Sequence, residues 1–413
     1  MPRTVSKYNH QQQRAWSAGT LKLLGRRALI VLLAWLGGLV LCHWRSRVSS
    51  HCTYLLSYDP SYGAWNNQLM ALLVGIHLAQ LLGRRLVVPA LVERARPTTS
   101  NTWFDVLDID AALLRRWILP ESTAARCRRR GSMSTVFDAR NISLRLHRDA
   151  ACGDALGSLR DASARAGPLL LQLAHLYGLM RCFTRSEASF LRLWQRITLR
   201  ETPVAKLWMQ RWGALEGAPA SPPLVVVVHL RRSGFEPRAH ARRPDDFPAN
   251  ALHAWVLAGN ESACVSSSAR CALCQLCAIQ RRDPDARPLH FYVMHDGHGA
   301  SLQTLALWKT FVEAQGDCGA APSRVYDLTA LVQESWQVLS PTLPAPGRNH
   351  IVSVVSEMYL AVYGAHLFVG SPLSTLSSNV ARWRALGRYP LAPSLSYTGD
   401  RYLSAIPHMF GFH

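Results

Sequence analysis

The stretch that most constrains this 413-residue chain lies near its middle, where residues 224–236 read LVVVVHLRRSGFE. Leu224 to Val228 are five consecutive apolar residues, four of them β-branched, and they follow Pro222-Pro223. A short unbroken apolar run of this kind reads as a strand buried on both faces, as in a parallel sheet covered by helices. The run ends in His229-Leu230-Arg231-Arg232, which puts its polar residues at the carboxyl edge of the sheet, where open α/β sheets bind ligands. Alternation sends His229 and Arg231 to one side of the strand and Leu230 to the other. A guanidinium fork facing a crevice suits a bidentate contact with phosphate. The plainer alternative is a solvated strand end.

Around this strand the chain alternates between strand and helix patterns. Tyr54 opens the folded part, with a short strand over Thr53–Leu56 and a turn at Ser61–Ala64. A helix follows over Trp65–Leu82, ended by Gly83, and then a strand over Arg85–Pro89. This is a βαβ unit with its loop at Gly63–Asn67. Gly63 permits close backbone approach and the helix start can hold an anion through free N–H groups, although a glycine there can also be steric punctuation only. Residues 150–216 read as mainly helical, including Leu169–Met180 and Glu187–Ile197. The segment Gly217–Pro223, rich in Pro and small residues, is a domain boundary. After it come strands at Arg287–Met294, Ser323–Leu328 and His366–Gly370. Helices are expected at Leu302–Ala314, Ile351–Tyr363 and Leu376–Ala385, the last after the polar turn Ser371–Thr375.

The amino terminus bears on the compartment. Ala28 to Trp44 is a 17-residue run with no formal charge, the lower limit for a bilayer span. Six Lys/Arg precede it and two follow closely, which orients residues 1–27 to the cytosol and the remainder to the lumen of the Golgi or endoplasmic reticulum. A mitochondrial presequence is the rival for this acid-free, Arg-containing terminus. In a lumen, the triplets at Asn141 and Asn260 are glycosylation acceptors. Nine cysteines outside the apolar run read as disulfides with one left over, while Cys264, Cys271, Cys274 and Cys277 have an alternative as four thiolates for zinc. The formal charge of +20 raises nucleic acid as a partner, yet there is no Lys-rich block, zinc-finger spacing or aromatic-basic repeat. A basic enzyme acting on an anionic donor fits that charge as well, and the expectation is no nucleic acid.

With these residues assembled, the chain resembles the GDP-fucose-dependent fucosyltransferases, most closely the protein O-fucosyltransferase group. Four stretches carry the resemblance. Gly63-Ala64-Trp65-Asn66-Asn67-Gln68, with Leu86-Val87-Val88-Pro89 after the helix, is similar to the family's G-x-x-x-N-Q opening and L-x-V-P strand. Trp103-Phe104-Asp105 resembles the short element that follows. Val228-His229-Leu230-Arg231-Arg232 is similar to the H-x-R motif, and Phe368-Val369-Gly370-Ser371 to Ser374-Thr375 resembles the late F-[IV]-G…S-[ST] element. Together they run from about residue 54 to 390.

The resemblance implies an α/β chain of the GT-B type: two Rossmann-like domains facing a cleft, here residues 53–216 and 224–413 joined by the linker 217–223. They are preceded by one transmembrane helix at 28–44 and a short stem at 45–52. It implies an inverting transfer of fucose from GDP-fucose to a protein hydroxyl, with no obligatory metal or other cofactor. Arg231 would contact the diphosphate, Asn67 would lie near the reacting centre, Ser374 and Thr375 would bind phosphate or ribose, His229 would contact the nucleotide, and Asp296 would sit near the base. Gly63 and Asn66 complete the donor-binding set. The family often has an Asp after H-x-R-x-x, where this chain has Ser233-Gly234-Phe235-Glu236. Glu236 is the candidate substitute base, with Asn67 orienting water or the acceptor.

Three rivals share some of these residues. A glycan α1,2-fucosyltransferase keeps the donor and changes the acceptor to a sugar hydroxyl. A catalytically degenerate, membrane-anchored binding protein keeps the fold. A metal-dependent GT-A enzyme would need a D-x-D pair, matched formally by Asp108-Ile109-Asp110 and Asp283-Pro284-Asp285.

Overall fold

The computed structural model describes residues 54–59, 64–93, 96–97, 102–119, 134–138, 149–167, 170–174, 176, 179, 188–216, 223–230, 288–297, 299, 301–303, 305–306, 309, 324–341, 350–370, 374–386 and 395–396. The apolar run 28–44, Asn141, Asn260, residues 217–222 and the cysteines from 264 to 277 lie outside the described residues. Among the described residues, no helix is long and apolar enough to cross a membrane.

In chain order the first half contains β1 (Leu55–Tyr58), α1 (Trp65–Leu81), β2 (Arg85–Val87), β3 (Val92–Glu93), β4 (Arg96–Pro97), α2 (Trp103–Val106), β5 (Leu107–Ile109), α3 (Ala111–Trp117), β6 (Ile118–Leu119), β7 (Ser134–Asp138), α4 (Asp149–Ala166), β8 (Leu170–Ala174), α5 (Ala188–Gln195), β9 (Ile197–Leu199) and α6 (Pro203–Glu216). The second contains β10 (Leu224–Leu230), β11 (Leu289–His295), β12 (Arg324–Asp327), α7 (Leu328–Leu339), α8 (Ile351–Tyr359) running into a π-helical turn (Leu360–Gly364), β13 (Leu367–Gly370), α9 (Thr375–Leu386) and β14 (Leu395–Ser396). The result is a mixed α/β protein with two five-stranded sheets, each parallel throughout. The first has the order β6-β2-β1-β8-β7 and the second β12-β11-β10-β13-β14.

The central strand of the second sheet is the apolar run of the sequence. All seven residues of β10 are buried, as a strand flanked by β11 and β13 and covered on both faces requires. In the first half, α1 is buried almost all round, from Trp65 to Ala79. A helix apolar on every side belongs inside a layered domain rather than on its surface. It ends where Gly83 takes φ 64°, the left-handed conformation that a side chain would resist. Gly75 lets α1 lie close to β1, since a Cβ there would come within 2.9 Å of the Tyr58 ring.

One expected element is corrected. Residues 170–174, read as part of a helix over Leu169–Met180, form β8 between β1 and β7. A short apolar run rich in leucine carries no periodicity that separates a doubly buried strand from a buried helix, and here the sheet position decides.

The two halves share one continuous core that contains Leu56, Leu69 and Trp194 from the first and Val227, Met358 and Phe368 from the second. Although α6 precedes the Pro-rich segment, it packs on the second half. Its Trp212 ring lies 4.8 Å from that of Tyr292, and Gly364 leaves room for Trp212 where a Cβ would come within 2.7 Å of the ring.

Helix α9 is wedged between the halves. Asn379, Arg382 and Trp383, at i, i+3 and i+4, face the first half. Asn379 donates to Asn66 Oδ1 at 3.0 Å, Trp383 Nε1 donates to the Ile197 carbonyl at 2.9 Å, and the Arg382 guanidinium lies 4.8 Å from the Trp194 ring centroid. On the other side, Ser377 meets His229, and Arg384 donates to the carbonyls of Ala361, Val362, Ala365 and His366 at the end of the π-helical turn.

Arg382 is only 1 % exposed, and its Nε and Nη1 have no hydrogen-bond partner among the described residues. Burial pulls its pKa down to about 9, so it still carries its charge at neutral pH. Even buried ion pairs are often replaced by apolar residues of similar volume with a neutral or favourable result, and among the described residues no ion pair offsets the desolvation of this guanidinium. The expected outcome for Arg382→Met is therefore unchanged stability or a gain of about 1–4 kcal/mol in urea unfolding. A loss of stability would instead assign the guanidinium a favourable role.

Candidate functional site

The order of the second sheet places a switch point between β10 and β13, because the chain steps outward through β11 and β12 on one side and through β13 and β14 on the other. The crevice at the carboxyl ends of such a pair is where this architecture binds ligands. His229 lies there, next to last in β10, 4 % exposed, its Nδ1 2.8 Å from Ser377 Oγ. Gly370, the last residue of β13, makes that contact possible. A Cβ at Gly370 would come within 2.8 Å of the Ser377 Cβ, so only glycine lets α9 approach this closely.

Ser374 precedes the first turn of α9 and Thr375 opens it. Ser374 is 1 % exposed, its carbonyl accepts from both the backbone N–H and the hydroxyl of Ser378, and its own Oγ has no hydrogen-bond partner among the described residues. Asn67, in the first turn of α1, is half-buried, and its Oδ1 is buried with no partner. These are two of six such oxygens among the described residues, and what sets these two apart is that they stand at the amino ends of two helices, one from each half. The Asn379–Asn66 hydrogen bond joins the same two helices. Free N–H groups and the helix dipole make each such end favourable for negative charge.

The neighbours of Asn67 do structural work. Asn66 is 4 % exposed and takes the Asn379 amide. Gln68 pins the segment after β2 through two bonds to Val92, from Nε2 to the carbonyl at 2.6 Å and from the backbone N–H to Oε1 at 2.9 Å. Trp103 is likewise scaffolding, since its Nε1 donates to the Pro89 carbonyl and its ring stands 5.3 Å from that of Trp65. Asp296 follows β11, half-buried, with Oδ1 accepting from Ser301 Oγ at 2.8 Å. Gly63, Arg231 and Glu236 lie outside the described residues.

Several residues at this edge carry no mark in the sequence. Ser377 and Asn379 lie in a helix pattern where nothing singles out a serine or an asparagine as a contact. The pair His295–Asp327 is another case. His295 Nδ1 accepts from the Gly297 N–H, which leaves Nε2 to donate to Asp327 at 3.0 Å, while Asp327 also caps α7 by accepting from the Ala330 N–H. With both ring nitrogens engaged, His295 holds the turn at Gly297, where φ is 76°, rather than serving as a base. The sequence signal was available in His295-Asp296-Gly297 at a strand end, but not its partner 32 residues on.

The formal D-x-D pair is occupied by other work. Asp108, at the centre of β5, pairs with Arg200 at 3.1 Å; Asp110 caps α3 and pairs with Arg196, whose hydrogen bond and that of the Leu113 N–H hold its carboxyl below the usual range. Both pairs are surface-exposed, where such bridges contribute little to stability. Asp108→Ala is accordingly expected to leave stability in urea unfolding within about 1 kcal/mol, with or without a divalent cation. A large loss restored by added divalent metal would instead make this pair a cation site. Asp283 and Asp285 lie outside the described residues.

No protein-family model matches the chain, and no curated protein does. Among solved structures, the chain is similar to POFUT1 in complex with GDP-fucose, with a TM-score of 0.48 and 14% identity over 84% of this chain and 98% of that one. It is also similar to POFUT1 in complex with GDP, with a TM-score of 0.47 and 11% identity over 84% and 99% of the two chains. A mutant FUT1 of Arabidopsis thaliana in complex with GDP gives a TM-score of 0.44 at 12% identity, over 83% of this chain and 72% of that one.

Proposed function

We propose that this chain is a GDP-fucose-dependent fucosyltransferase of the GT-B type, in which two Rossmann-like halves face one donor cleft. The observation that carries this reading is the meeting of two helix amino ends, each with an unpartnered buried oxygen (Asn67 Oδ1 and Ser374 Oγ), at the switch point where His229 stands near the end of the buried strand of the H-x-R motif. That arrangement suits a dianionic diphosphate carrying a nucleoside on one side and a sugar on the other.

In the proposed inverting reaction the acceptor hydroxyl oxygen attacks the anomeric carbon of fucose from the face opposite the phosphate. The bond to the phosphate oxygen breaks, its electron pair leaves with GDP, and the acceptor proton passes to a base, for which Glu236 is the candidate. Arg231, the free N–H groups at the start of α9 and the hydroxyls of Ser374 and Thr375 take up the charge that builds on GDP. Gly63 and the first turn of α1, with Asn66 fixed behind it, bring backbone close to the sugar. Asn67 Oδ1 accepts from the acceptor hydroxyl and orients it, and Asp296 contacts the guanine. The acceptor we favour is a Ser or Thr hydroxyl of a protein, with the chain held as a type II membrane protein by residues 28–44 and its transferase part in the secretory lumen.

The test is titration of the protein with GDP-fucose, GDP-mannose and UDP-sugars, following GDP release with and without chelator. Selective binding of GDP-fucose with chelator-resistant GDP release is expected. Selective binding without release, even with acceptor mixtures, would favour the degenerate binding protein, and absence of nucleotide binding would end the proposal.

A further inference from the structure

Asn379 is 0 % exposed in α9, yet its side chain is polar. Its Nδ2 reaches across to the first half and donates to Asn66 Oδ1 at 3.0 Å, with the Asn66 carbonyl at 3.5 Å. Two residues earlier, Ser377 bonds to His229 at 2.8 Å. Positions two apart on a helix point about 200° from each other. One turn of α9 therefore holds β10 with one side and the start of α1 with the other. Asn67, whose Oδ1 has no partner, is the next residue of α1 after the one that Asn379 holds.

We propose that Asn379 is a positioning residue for the transfer step: through Asn66 it fixes where Asn67 stands relative to Ser374 and His229. A buried asparagine is a poor choice for cohesion alone, because an apolar residue would fill the same space without leaving a polar atom unsatisfied, and Asn379 Oδ1 has no partner. What the amide adds is direction. Its hydrogen bond specifies one register between the two helices, which bulk contact does not. The inference rests on the function proposed above.

The experiment uses the full-length chain and measures two quantities for each variant: GDP affinity by calorimetry, and the rate of GDP release from GDP-fucose at saturating donor. For Asn379→Ala the expected result is a fall in release rate of about 10- to 100-fold, the scale of a misplaced reacting group, with GDP affinity changed by less than about threefold. Asn379→Ser, which is too short to reach Asn66 but keeps a polar group and leaves a smaller gap, is expected to do the same, and it serves if the alanine variant does not fold. A cycle with Asn66→Ala distinguishes positioning from a separate role. If Asn379 acts through Asn66, adding Asn379→Ala to Asn66→Ala lowers the rate no further. Rate and affinity falling together, losses that multiply in the double variant, or a rate unchanged in a folded Asn379 variant each overturn the assignment. Wild-type protein that neither binds GDP nor releases it from GDP-fucose overturns the function itself, and this inference with it.

Discussion

Arg231→Ala is expected to lower GDP release from GDP-fucose by about 10²-fold or more while the protein keeps its melting temperature, because removing one preorganised charge-stabilising group typically has an effect of that size. Arg231 is the residue immediately after β10, a strand buried along its whole length and held between two parallel neighbours. His229, two residues earlier, is anchored to Ser377. A strand held this way is rigid up to Leu230, and rigidity is what makes a charge effective against a developing oxyanion. Arg231→Lys keeps the charge and loses the planar fork, so it is expected to recover only part of the rate. Nearly normal release by the alanine variant would remove Arg231 from the mechanism.

The largest expected loss of stability is at Trp194, in the seam between the halves. Trp194→Ala should destabilise the protein by about 3–5 kcal/mol, the range for removing a fully buried large aromatic residue. The side chain is 0 % exposed in α5, it makes an edge-to-face pair with Trp383 at 5.0 Å, and it covers the buried Arg382 guanidinium. Its loss opens a cavity there and takes from Arg382 the ring face that partly offsets its lost hydration. Urea unfolding followed by tryptophan fluorescence reads the change. A loss below about 1 kcal/mol would mean that the seam closes over the gap. The double variant with Arg382→Met should recover part of the loss, since the uncovered charge is then gone.

Where the pattern was strong, the sequence was legible. The helix expected from Trp65 to Leu82 runs from Trp65 to Leu81, and β10, β11, β12 and β13 lie within a residue or two of their expected limits. Each is bounded by Gly, Pro or a polar cluster, and strand and helix alternate with enough regularity to define a parallel α/β chain. Residues 170–174 failed because leucine runs suit both states when both faces are buried. The expected helix over Ile351–Tyr363 ends in a π-helical turn at Leu360–Gly364, which no local pattern announces. The Trp212 ring, from a helix about 150 residues earlier in the chain, lies against Gly364 at the end of that turn, a contact the local sequence does not show. At the site, strand ends marked His229 and Asp296, and the late polar turn marked Ser374 and Thr375. The contacts that orient them were invisible, because Ser377 and Asn379 acquire meaning only from what α9 touches on its two sides.

The Asn379–Asn66 hydrogen bond joins residues 313 positions apart, and the bond from the Val225 N–H to the His366 imidazole spans 141. During synthesis this sets an order of events. The first sheet can assemble from the first 174 residues, but β10 must wait with one edge unpaired until β13 has left the ribosome. An unpaired parallel edge of five apolar residues is a site for association with other chains. Competence comes later still, since the clamp on α1 exists only after α9 has been made. A chain interrupted between β10 and α9 would therefore be a partly folded body with an unpaired apolar edge and no assembled site.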